Sequence, residues 1–328
     1  MIISRTPLRM SFVGGGSDLP DFYRKHGGAV LSTAIDKYVY VTVNSKFDDG
    51  VRVSYSQTEE VATASQIEHP LVRHGLGIMG IKGGVEITTV ADIPSKGTGL
   101  GSSSSFTISL LNALGAFKGR YMSSETLAAE SSRIEIDLCG EPIGKQDQYA
   151  AAYGGFNLIE FKKDDSVSVE PLLIPAALKN QLESSILVFY TGSTRSASKI
   201  LAEQTQQLRA DLSKEDALRR MVALTYQLRD GLHDGKIESF GEILHENWEL
   251  KKSLATSISN PEIDGWYDAA RAAGAVGGKI LGAGAGGFLM FFADPSRHDR
   301  ITGALSPLRR IPMKFEPLGS RVIFYNPT

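Results

Sequence analysis

A single cysteine in 328 residues, Cys139, excludes an intrachain disulfide and a thiolate-bound metal cluster, so we read it as a small buried hydrophobe. No stretch reaches the roughly 18 consecutive apolar residues of a membrane-spanning helix. The opening MIISRTPLRM also lacks the charged-then-apolar layout of a secretory leader, so the expectation is a cytoplasmic protein that touches no membrane. Neither sign of charge dominates: 35 Lys and Arg against 37 Asp and Glu leave a formal −2, without the basic excess that points to nucleic acid. The six histidines, at 26, 69, 74, 233, 245 and 298, form no HExxH or paired metal spacing, and no G-x-S-x-G elbow marks a hydrolase. What is present is 42% hydrophobic residues and 34 glycines, enough for two domains and a small-molecule partner.

The glycines concentrate where chemistry is expected. Pro94 to Ser105 reads PSKGTGLGSSSS between two regular patterns. Val85, Ile87, Thr89 and Ala91 alternate as in a strand, and Phe106, Leu110, Leu114 and Phe117 recur at helical spacing. The segment therefore sits at a helix start, where unpaired N–H groups and the helix dipole favour an anion. Gly97, Gly99 and Gly101 let the main chain approach a phosphate, and the serines add donors or ligands for a hard metal ion. We read Gly97, Thr98, Gly99, Leu100, Gly101, Ser102, Ser103 and Ser104 as a phosphate cradle. It is not a Walker A loop, because Ser102 rather than a lysine follows the last glycine.

Three other segments stand out. Near the start, a strand with Leu8, Met10 and Phe12 on one face and Arg5, Arg9 and Ser11 on the other runs into Gly14 to Asp18, then a short helix. In the middle, GEPIGKQDQYAAAYGG breaks regular structure around Asp147, just after a helix over about 124–138 that carries Glu135. A carboxylate at Asp147 could receive a hydroxyl proton, and a neighbouring Arg9 would keep it ionised; taken alone, Asp147 reads first as a helix cap. Late in the chain, GAGAGG at 282–287 satisfies G-x-G-x-x-G, but a strand-like FLMFF follows it. A dinucleotide fingerprint must open a helix, so this is a glycine loop near a ligand or another backbone, or a tight hairpin. A second unit begins near Pro175 to Ser185, where an apolar β run precedes a largely helical stretch. The division is 1–180 and 181–328, both α+β.

The set PLRMSFVGGGSD, PSKGTGLGSSSS, GKQDQYAAAYGG and KILGAGAGG, in this order over nearly the whole chain, resembles the GHMP kinase superfamily. The resemblance implies an N-terminal α+β domain with a fold also seen in a ribosomal protein and a C-terminal ferredoxin-like domain. ATP and a phosphorylated sugar would lie between them, the likeness being to sugar anomeric kinases with fucokinase-type enzymes as rivals. It further implies that 97–104 wrap the ATP phosphates, that Ser103 and Glu135 hold Mg²⁺, and that Asp147 orients or deprotonates the acceptor hydroxyl. Arg9 would stabilise charge at the transferred group. Gly15, Gly16, Ser17 and Asp18 would contact the sugar, and Gly284 and Gly286 would line the site. For a substrate phosphate the residues themselves offer Arg195, in TGSTRS before a helix, with Arg24 and Lys25 as alternatives. Four tandem serines leave the metal-binding one open, and GGGSD departs from the EHTD-type sequence of galactokinase. A homodimer is compatible with this reading.

Overall fold

The computed structural model describes residues 1–93, 97–193 and 197–326. Two long strands, Ile2–Val13 and Gly28–Ser45, pair antiparallel and form the spine of an eight-stranded sheet. The second spans two environments. Residues 28–35 are buried on both faces, whereas 39–45 alternate buried and half-buried, the pattern of a sheet with one wet face. The strand accordingly changes partner along its length, pairing with Phe156–Phe161 through its first part and with Val85–Ala91 through its second.

A four-stranded antiparallel sheet forms from Ile186–Tyr190, Gly277–Ile280, Phe288–Phe292 and Arg309–Arg310. The fourth of these lies beside the first, the first beside the third and the third beside the second, with helices between the first and second and between the third and fourth. That order is the ferredoxin-like arrangement the resemblance implied. The chain then crosses back. Phe315 bridges to Ile35, and Arg321–Tyr325 pairs with Ile2 to Arg5 at the edge of the first sheet. The expected division at 180/181 therefore leaves out the last strand, because RVIFY shows strand character but not its partner. Among the described residues no helix is long and apolar enough to cross a membrane.

Aromatic packing fixes how the two sheets meet. Phe12, at the end of the first strand, makes edge-to-face contacts with Phe156 of its own sheet (5.4 Å) and with Phe240, on a helix of the second unit (5.2 Å). Each such pair adds roughly 0.5–1.5 kcal/mol beyond the area it buries. The junction lies only three residues beyond Arg9, so the packing sets the geometry of the cleft beside it.

Two local expectations are corrected. The helix expected over 124–138 is α-helical only for Ser124–Ser132, and Arg133–Leu138 is a π-helical turn in which the Cys139 N–H donates to the carbonyl of Ile134. Cys139, just after that turn, is half-buried rather than enclosed.

Candidate active site

The glycine-serine segment does lie at a helix start. The helix is Ser102–Phe117, and Gly101 caps it in the left-handed conformation (φ +76°) with no side chain occupying its first amides. Gly97 and Gly99 also have positive φ, at +68° and +77°. Gly99 is required for a second reason, since a Cβ there would run into the carbonyl of Leu281. The reverse also holds, because a Cβ on Gly282 would strike Gly99. The late glycine loop thus joins two paired strands, Gly277–Ile280 and Phe288–Phe292, and packs backbone to backbone on the cradle. Both readings of GAGAGG, hairpin and close approach, are realised.

Arg9 and Asp147 meet. The guanidinium is almost wholly buried, with its side chain 4% exposed; its Nε donates to Oδ1 of Asp147 at 2.8 Å, and an Nη lies in ion-pair contact with the same oxygen at 2.6 Å. Its other Nη donates to the carbonyl of Gly99 at 2.6 Å, and the Arg9 amide donates to the carbonyl of Leu100. One arginine therefore ties the carboxylate to the cradle. Asp147 lies in the first turn of Gln146–Tyr153 rather than capping it, keeps a 25% exposed side chain, and turns Oδ2 toward Gly101. This leaves one carboxylate oxygen facing the cradle and able to take a proton.

The cleft holding these groups, of about 240 Å³, is also lined by Gly15, Gly16, Asp18, Ser103, Ser104 and Glu135. Asp18 is buried and accepts from the amides of Gly16 (3.0 Å) and Gln146 (3.3 Å) and from the Gln146 side chain (3.1 Å). Gly144 must be glycine here, because a Cβ would collide with the Asp18 carboxylate. Burial raises the pKa of Asp18, and the charge of Asp147 adds to the shift.

Glu135, for which sequence alone suggests a surface position, is 1% exposed. The π-helical turn adds a residue to the helical period and carries the side chain inward, a common device at functional sites. Its carboxyl accepts from Ser104 and Ser131, each at 3.0 Å. The serine paired with it is thus Ser104, while Ser103 lines the cleft and is exposed. Burial pushes the Glu135 carboxyl up to about 7, against the hydrogen bonds that favour its charged form.

That shift carries a stability prediction. The group's folded pKa exceeds its ordinary value of 4.5, so its stabilising contribution is full below pH 4.5 and is lost as pH rises through about 7. Thermal melts of Glu135→Gln against wild type should show the variant gaining relative stability between pH 5 and 8, by roughly 1 kcal/mol or more. A wild-type-minus-variant difference that does not change with pH would contradict the assignment.

Other expected residues fall outside the cleft lining. Ser17 is fully buried and exchanges hydrogen bonds with the main chain of Ala29, which makes it a support for the glycine turn. Gly284 abuts Ile258 and Gly286 abuts Ser193, whereas Gly282 and Ala283 of the same loop face the cleft. Leu100 sinks into the core and offers only its backbone. Arg195 lies outside the described residues. Sequence reasoning passed over Ser11 and Gln146, hydrogen-bonded at 2.8 Å, and two buried lysines, Lys251 and Lys279. Burial brings these ammonium groups down to about 8 and about 7. Lysines in otherwise ordinary helix and strand patterns give no local signal of burial.

The chain as a whole has relatives among known proteins. The profile described as GHMP kinases N terminal domain matches residues 57–155, and that described as GHMP kinases C terminal matches 228–307. The chain is 30% identical to D-glycero-alpha-D-manno-heptose 7-phosphate kinase of Campylobacter jejuni, over 93% of both chains. It is 28% identical to the bifunctional fucokinase/GDP-fucose pyrophosphorylase of Arabidopsis thaliana, over 88% of this chain and 29% of that protein. Among solved structures, a D-glycero-D-manno-heptose 1-phosphate kinase from Bacteroides thetaiotaomicron superposes with a TM-score of 0.81 at 26% identity, covering 99% of this chain and all of the other.

Proposed function

Because the chain belongs to the GHMP kinases, as an ATP-dependent sugar kinase similar to heptose phosphate kinases, we propose that it phosphorylates the anomeric hydroxyl of D-glycero-D-manno-heptose 7-phosphate, giving the 1,7-bisphosphate. The observation that carries the reading is Arg9, whose guanidinium holds Asp147 on one side and the cradle carbonyl of Gly99 on the other. A hydroxyl placed at Oδ2 of Asp147 then faces the main chain that would grip the nucleotide. The proton passes to Asp147, the oxygen bonds to the γ-phosphorus, and the bond to the β-phosphate oxygen breaks with its electrons leaving on ADP. Positioning and charge neutralisation supply most of the rate in such transfers, with the carboxylate contributing roughly 10²–10⁴-fold.

In this reading residues 1–180 bind the nucleotide through 97–104, and Gly15, Gly16 and Asp18 contact the sugar. Mg²⁺ suits the donors beside the cradle, since Glu135 and the serine hydroxyls of 102–104 are all oxygen ligands and magnesium takes one or two carboxylates together with phosphate oxygens. When bound, the ion neutralises charge on the phosphates.

The test is a panel of free and phosphorylated heptoses, with fucose and galactose, scored by ATP consumption and by ³¹P NMR of the product. Turnover of the heptose 7-phosphate to a species carrying an anomeric phosphate is expected. Turnover confined to fucose, or none with any sugar, would overturn the heptose reading.

A further inference from the structure

The reaction leaves the two buried lysines without a role. Lys279 has a structural one, since its ammonium donates to the carbonyls of Ser11 (2.9 Å) and Phe12 (3.2 Å) and staples the second sheet to the strand bearing Arg9. Lys251 differs. It lines the cleft at 5% exposure, and its ammonium donates only to neutral acceptors, Gln204 Oε1 at 3.0 Å and the Gly15 carbonyl at 3.3 Å. Among the described residues it forms no ion pair, and Asp18 is the one charge that favours its protonated state against desolvation. A buried ammonium with no carboxylate among its hydrogen-bond acceptors is costly to retain.

The neighbouring amide is also incomplete. Gln204 is fully buried, its Oε1 is taken by Lys251, and its Nε2 has no hydrogen-bond partner among the described residues. Both nitrogens sit against Gly16, another cleft residue: a Cβ there would meet Gln204 Nε2 at 2.5 Å and Lys251 Nζ at 3.2 Å. The Lys251 charge thus lines the same cleft as Asp147, with the unused Gln204 amide donor buried behind it against Gly16. A sugar hydroxyl could accept from Lys251, but an oxyanion would also add to the partial compensation of its charge that Asp18 gives.

We propose that Lys251, assisted by Gln204, receives the phosphate group that the acceptor sugar already carries. The inference rests on the acceptor being a sugar phosphate, and the test separates the two claims. The ratio of kcat/KM for heptose 7-phosphate to that for free heptose is measured in wild type, Lys251→Met and Gln204→Leu. Loss of a charge-assisted contact should lower that ratio on the order of 10- to 100-fold in Lys251→Met, mainly through the KM of the phosphorylated sugar. Gln204→Leu should move it the same way by about 3- to 10-fold, and it serves if Lys251→Met does not fold. A wild type that prefers phosphorylated heptose, with the preference intact in both variants, overturns the role of Lys251 alone. Equal losses on both acceptors would likewise reduce Lys251 to a structural residue. A wild type that prefers the free sugar overturns the reading of the acceptor, and this inference with it.

Discussion

Asp147→Asn is expected to lower kcat by about 10²- to 10⁴-fold while the KM for ATP stays within a few-fold of wild type. The amide preserves shape and leaves an oxygen for the two Arg9 nitrogens that now converge on Oδ1. What it removes is the basicity of the oxygen turned toward Gly101. Nucleotide binding should be spared, because Arg9 keeps its separate bond to the Gly99 carbonyl and the cradle stays anchored. Steady-state kinetics with each substrate varied checks this. Near-normal turnover would remove Asp147 from the proton transfer.

Gly99→Ala should have an effect of similar size by a different route. The residue needs φ of +77°, and its Cβ would enter the Leu281 carbonyl. The left-handed conformation costs a non-glycine residue roughly 1–2 kcal/mol. The collision comes on top of that and can be relieved only by parting the cradle from the 282–287 loop. We expect kcat/KM for ATP to fall on the order of 100-fold, with a lower melting temperature. Gly119→Ala is the control. That glycine has φ of +64° with nothing within 4 Å of its Cβ position, so it should show the conformational cost alone and normal ATP kinetics. Equal behaviour of the two variants would mean that close backbone approach at Gly99 does not matter.

Local patterns made the cradle legible. Alternation at 85–91, glycines, and apolar spacing from Phe106 define a strand, a turn and a helix start without tertiary information, and the helix does begin at Ser102. The ferredoxin-like unit was legible only through the family resemblance: Ile186–Tyr190 and Phe288–Phe292 are apolar runs, but Gly277–Ile280 and Arg309–Arg310 carry no such local signal. Features that depend on a distant segment were not legible. Burial of Glu135 follows from a π-helical turn that no residue type announces. Ser17 and Gly286 lie within conspicuous motifs, yet one is used by the Ala29 backbone and the other abuts Ser193. Lys251 sits on the helix Phe240–Ser253 among other charged residues, and only the packing of the glycine turn against that helix distinguishes it from Lys252, its more exposed neighbour. Arg9 and Asp147 lie 138 residues apart, so the sequence could pose their pairing only as a condition.

A crystal structure with a non-hydrolysable ATP analogue and heptose 7-phosphate addresses the central claim most directly. The account predicts the β- and γ-phosphates on the amides of residues 97–104 and the anomeric oxygen within hydrogen-bond reach of Asp147 Oδ2. A triphosphate seated away from those glycines, or an anomeric oxygen turned from Asp147, would contradict it.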